Sequence, residues 1–133
     1  MLSDATYATI IPIRNMDRAV KFYTQTLGGK VEMRDTGKMK DMWASIRLAG
    51  TVFWLIPPSK REKRELSYSV FAVKDIRSAV KDLKAKGVKF SRAEKMNKDT
   101  KLEGPIAIDA GMGAGAFFKD SEGNLLMLWQ QMM

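Results

Sequence analysis

Apolar and polar positions along this chain follow a helical period and then a strand period, and the same succession occurs twice. Met16, Ala19, Val20, Tyr23 and Leu27 fall at i, i+3, i+4, i+7 and i+11, which places them on one face of a helix. Sixty residues on, Ile76, Ala79, Val80 and Leu83 repeat that spacing. Asn15 and Asp75 stand immediately before the two stripes, where a short side-chain oxygen accepts the N–H groups that a first helical turn leaves unpaired. Gly28-Gly29 and Gly87 follow them as left-handed terminators. The segments NMDRAVKFY (15–23) and DIRSAVKDL (75–83) share an Ala-Val-Lys core, so the two predicted helices read as copies.

Strand-like runs surround each copy. YATIIPI (7–13) precedes the first helix, and KVEMRD, MWASIRLA and TVFWLIPP follow it. LSYSVFAV (66–73) precedes the second; VKFSRAEK, then PIAIDAG with GAFFKD, then NLLMLWQ follow. DSEGN (120–124) carries the Gly-Asn chemistry of a tight hairpin. The predicted fold class is α+β: two βαβββ modules, residues 6–57 and 66–131, joined by the charged stretch 58–65. One such module covers one face of its sheet with a helix and leaves the other bare. Two modules paired into a curved mixed sheet enclose a groove with their bare faces, which gives the repeat a purpose.

Composition narrows the chemistry. With 133 residues the chain suits one compact domain made of two repeats. It has no run of about 20 apolar residues to span a bilayer, and its first ten residues do not read as a secretory leader. Cysteine and histidine are both absent. That removes disulfides, thiolate nucleophiles, imidazole bases and His- or Cys-anchored metal sites. The remaining catalytic candidates are carboxylates, lysines and tyrosines. A formal charge of +8 favours anionic partners, but the basic residues are scattered and no nucleic-acid-binding motif accompanies them. The expected setting is cytoplasmic, without membrane or nucleic acid.

The βαβββ repeat, the segment NMDRAVKFYTQTLGG and the closing FFKDSEGNLLMLW together resemble the vicinal oxygen chelate superfamily. That superfamily includes glyoxalase I, extradiol dioxygenases, fosfomycin-resistance enzymes and bleomycin-resistance proteins. The likeness spans roughly residues 6–130, and FYTQTLGG and FFKDSEGNLLML carry it most specifically. It implies a divalent metal at the groove floor, held by His, Gln or Glu from the first and last strands of each module. Carried over by spacing, those positions are Ala8, Tyr68, Trp54 and Met127. None is a competent ligand, and a shift of one residue brings up only Tyr7 or Thr9, Ser67 or Ser69, Phe53 or Leu55, and Leu126 or Leu128. The expectation is therefore no metal and no other cofactor.

Strand alternation then lines the groove. Val52, Trp54 and Ile56 share one face, with Phe53 and Leu55 toward the helix. Trp43, Ser45 and Arg47 turn the same way as Trp54, and Ala8 joins them from the first strand. In the second module Tyr68, Val70 and Ala72 face in, as do Leu125, Met127 and Trp129. Such an aromatic, thioether-rich floor beside Arg47 suits an aromatic or amphipathic ligand, anionic ones included. A closed apolar core or a subunit interface is the bland reading of the same side chains, and a surface carboxylate is the bland partner for Arg47. GMGAG (111–115) reads as a flexible loop at the groove mouth, and EKMNKDTKLEG (94–104) as a solvated connection.

These residues favour small-molecule binding over catalysis, and no catalytic residue stands out. An enzyme of the superfamily with an atypical or absent metal site, working through Tyr68, Glu32 or a lysine, is the alternative. The basic charge argues against cationic glycopeptides as ligands. The resemblance further implies a homodimer, with exchange of modules between chains as a second arrangement.

Overall fold

In the computed structural model, residues 2–4, 8–35, 42–57 and 68–132 are described. The chain divides into two compact units, Met1–Lys63 and Arg64–Met133; the joint expected at 58–65 lies outside the described residues. Among the described residues no helix is long and apolar enough to cross a membrane.

In the first unit, β1 (Thr9–Pro12), β2 (Lys30–Arg34), β3 (Ala44–Leu48) and β4 (Thr51–Ile56) form a sheet in the order β1-β4-β3-β2. Only β1 and β4 run parallel. Helix α1 (Met16–Lys21) covers one face. Its cap is as expected, with Asn15 Oδ1 accepting the Arg18 N–H at 3.0 Å. The stripe residues Met16, Ala19 and Tyr23 are buried, as are Ile11, Ile13, Ala44, Ile46, Phe53 and Leu55 of the sheet. Tyr23 meets Phe53 edge-on at 5.1 Å between ring centroids.

The last turn of this helix departs from the α geometry the spacing predicts: Phe22–Thr26 is a π-helix. The Thr24 hydroxyl donates to the Val20 carbonyl at 2.7 Å, competing with the α-helical amide bond to that acceptor. Leu27 N–H accordingly reaches back to Phe22 O at 3.1 Å. The chain then leaves through Gly28 at φ +83°, a conformation that penalises any side chain.

In the second unit, β5 (Tyr68–Ala72), β6 (Lys101–Glu103), β7 (Ile106–Asp109), β8 (Gly113–Lys119) and β9 (Leu125–Gln131) are ordered β5-β9-β8-β7-β6. Helix α2 (Ile76–Ala85) starts with two caps. Asp75 Oδ1 accepts from Ser78 N–H at 3.1 Å, and Gln130 Oε1 accepts from Ile76 N–H at 2.8 Å. Ile76 and Val80 are buried, along with Ala114, Ala116, Phe118, Leu126 and Leu128. Gly87 ends the helix at φ +90°, and Val88 N–H bonds Leu83 O at 3.0 Å. The β8–β9 turn is closed by Asp120, whose Oδ1 accepts from the Glu122 and Asn124 amides, both at 2.8 Å.

Three details of this unit correct the sequence reading. VKFSRAEK is not a strand. It makes one bridge, Phe90 with Phe118, because Phe90 alone finds a ring to pack on, at 5.3 Å, while Ser91, Arg92, Glu94 and Lys95 are exposed. The strand lies instead in the presumed connection, as β6, after a turn in which the buried Thr100 hydroxyl accepts from the Met96 and Asn97 amides. GMGAG is not a loop throughout, since Gly113–Gly115 belong to β8. Four strands thus follow α2 where three were expected: β6 takes the place of VKFSRAEK, and PIAIDAG with GAFFKD forms two strands, β7 and β8.

Candidate ligand-binding faces

Each sheet has a second face, away from its helix, and strand register fixes which side chains stand on it. In the first unit Trp54 lies opposite Ser45 on β3 and beside Ile10 on β1. Val52 lies opposite Arg47. Trp43, just before β3, packs its ring against Trp54 at 5.2 Å and 53°. Ala8, just before β1, shares the face by alternation and is half-buried. Five expected residues, Ala8, Trp43, Arg47, Val52 and Trp54, are therefore gathered on one surface. Ser45 is only 2% exposed, which places a small hydroxyl residue beneath the two indoles.

Arg47 is not free. β2 is bulged between Val31 and Met33, and the inserted residue, Glu32, makes an ion pair with the Arg47 Nε. The bulge also sends Met33, opposite Ser45, to this face and Arg34 to the helix face, where it pairs with Asp17 in the first turn of α1. A bulge has no reliable composition signal, which is why the sequence reading missed Met33 and this use of Glu32.

In the second unit β5 and β9 run parallel with Val70 beside Met127 and Ala72 beside Trp129. All four stand on the face away from α2, and Leu126 and Leu128 on the other. Tyr68 pairs through its backbone with Leu125; its side chain lies outside the described residues. β8 adds Gly113, Gly115, Phe117 and Lys119 to the same face through its register with β9. A Cβ at Gly115 would come within 2.8 Å of Met127 Cε and 3.3 Å of Trp129 Cε3. One at Gly113 would overlap Trp129 Cζ2 and lie 2.9 Å from Cε2. The Trp129 indole therefore lies along β8 on bare backbone, and its Nε1 donates to Gln131 Oε1 at 3.0 Å. Gly-x-Gly inside a strand was the available signal for this close approach.

The metal implied by the resemblance does not fit these residues. The positions carried over hold a methyl group, an indole, a thioether and a phenol, and none supplies the imidazole or carboxylate that a divalent ion takes. Among the described residues no three carboxylates gather into a possible metal site.

Comparison with solved structures shows the same fold. An integron cassette protein from the mobile metagenome of a Halifax Harbour sewage outfall aligns over 96% of this chain and 98% of its own, with a TM-score of 0.69 and 19% identity. TnmS3, an antibiotic binding protein from a Streptomyces species, aligns over 96% and 98%, with 0.69 and 18%. FosX from Listeria monocytogenes, a genomically encoded fosfomycin resistance protein complexed with Mn(II) and sulfate, aligns over 96% and 90%, with 0.66 and 12%. No curated protein matches the sequence. The family model for the Glyoxalase/Bleomycin resistance protein/Dioxygenase superfamily matches residues 6–128, nearly the whole chain, and the protein belongs to that superfamily.

Proposed function

We propose that this chain is a metal-independent small-molecule binding protein of the glyoxalase/bleomycin-resistance type. Its ligand is aromatic or amphipathic, anionic ones included, and is taken up on the helix-distal sheet faces. The carrying observation is what stands on the two helix-distal sheet faces. Trp43 and Trp54 pack against each other on one, and Trp129 and Met127 lie over glycine backbone on the other. Flat, polarizable surface of this kind gains from stacking and area, and the positions where the superfamily's metal ligands would stand carry no donor set. An antibiotic binding protein among the structural neighbours is in keeping with this use of the fold. The proposed working form is a cytoplasmic homodimer.

Tryptophan emission tests the reading, since all three indoles stand on the proposed surfaces. Titration with a panel of planar aromatic acids and amphipathic drugs should give saturable quenching or a spectral shift for at least one class. Emission that is blue-shifted and indifferent to every ligand and to soluble quenchers would overturn it in favour of a closed core.

A further inference from the structure

We infer that the second unit carries a subsite for a planar anion, in which Trp129 is the stacking platform and Lys119 the cation that meets the negative group. The inference rests on the binding role proposed above and assigns its charge recognition to a residue other than Arg47.

The platform is built rather than incidental. One side of the Trp129 ring is seated on Gly113 and Gly115: a Cβ at Gly113 would collide with it, and one at Gly115 would crowd it at 3.3 Å. Its edge is fixed by the bond from Nε1 to Gln131 at 3.0 Å. A ring held against backbone on one side offers its opposite side to a ligand at little further cost in side-chain freedom. Along the same row of β8 come Phe117, 36% exposed, and then Lys119, which is exposed and opposite Leu125 in register. From Gly115 to Lys119 is four residues, or about 13 Å at a strand rise near 3.3 Å, a distance that two or three linked rings and an acidic substituent span. Lys119 makes no ion pair among the described residues. Arg47 is already paired with Glu32, so a ligand competes with that carboxylate for it. An ammonium on a flexible stem also accepts sulfonate, carboxylate or phosphate without demanding a bidentate fit.

Two probes separate the parts of this site: anilinonaphthalene sulfonate, and phenylnaphthylamine, which has the same rings without the acid. Titrated by fluorescence, Lys119→Gln should weaken the sulfonate about fivefold, the size of an exposed ion pair, and leave the neutral probe unchanged. Gly113→Ala, whose Cβ would meet both the indole and the Gln130 carbonyl oxygen, should weaken both about tenfold. Trp129→Leu, which keeps the glycines, should do the same and covers the case in which Gly113→Ala fails to fold. Arg47→Gln should weaken the sulfonate less than Lys119→Gln does. Sulfonate affinity that survives Lys119→Gln, or falls equally with Arg47→Gln, overturns the assignment of the cation; affinity for both probes that survives Trp129→Leu overturns the platform. In either case the wider binding role stands. Failure of the wild-type protein to bind either probe overturns both.

Discussion

Glu32 reaches Arg47 across two neighbouring strands because β2 carries one residue more than β3 opposes. Both partners are well exposed, at 55% for Arg47 and 39% for Glu32, so the charge interaction itself is weak. The inserted residue matters for another reason. It resets the alternation of β2, so that Met33 and Arg34 stand on the faces where Ser45 and Asp17 await them.

Removing the residue should therefore cost little more than removing its charge. Glu32→Gln is expected to cost no more than about 1 kcal/mol, less in high salt. Deleting Glu32 takes out the bulged residue and leaves Met33 opposite Ser45 and Arg34 opposite Ala44, so the later β2 side chains keep their faces and the expected cost is again about 1 kcal/mol. Urea unfolding of both variants decides this, and a deletion several times costlier than Glu32→Gln would mean that the bulge does more than set register.

The two glycines that end the first helix do different jobs. A Cβ at Gly28 meets nothing within 4 Å, but φ is +83° there, so Gly28→Ala should cost about 1 kcal/mol of backbone strain. At Gly29 a Cβ would stand 2.8 Å from Tyr23 O and 2.9 Å from Ile46 Cγ2. Neither neighbour can withdraw without moving the helix from the sheet, so Gly29→Ala should cost about 3 kcal/mol, the upper range of overpacking. Thermal melts that rank the two the other way would refute the close-packing account.

Much of this was legible beforehand because it follows from local rules. Asn15 and Asp75 cap as their chemistry dictates, and Phe53 and Leu55 are buried while Trp54, between them, is not fully so. The misses share a cause: each depends on a contact distant in sequence. Phe90 belongs to one ring on β8 rather than to a strand, β6 is stabilised by a turn built on Thr100, and Gly113 is in β8 because Trp129 needs its backbone. Alternation within a segment carries none of that information. It likewise placed Arg47 on the right face and could not reveal that a bulge fifteen residues earlier supplies its partner.

The β3–β4 hairpin holds a correctable strain. Its two-residue turn is Ala49-Gly50, with φ of +54° and +76°, the mirror-image turn whose twist suits a two-residue hairpin. Glycine adopts this freely, whereas alanine at positive φ costs about 1–2 kcal/mol. Asn tolerates the conformation, so Ala49→Asn should stabilise the protein by about 1 kcal/mol and raise its melting temperature by a few degrees. Scanning calorimetry checks it, and a lower melting temperature would mean that the turn is not of this type in solution.

The sharpest test of metal use in this protein is thermodynamic. Any ion that binds the folded chain and not the unfolded one must stabilise it, by about 2.7 kcal/mol at a hundred times its dissociation constant. That linkage holds whichever residues supply the ligands and whatever reaction follows, so it tests metal use without an assay for activity. With Ala8, Trp54 and Met127 where donors would stand, the melting temperature should be the same in chelator, in Mn(II) and in Zn(II), and protein purified without chelator should carry metal well below one equivalent. A melting temperature that rises with Mn(II) and falls back with chelator would place a binding site in this chain that its carboxylates and carbonyls assemble by another route, and the case for a metal-independent binder would fail with it.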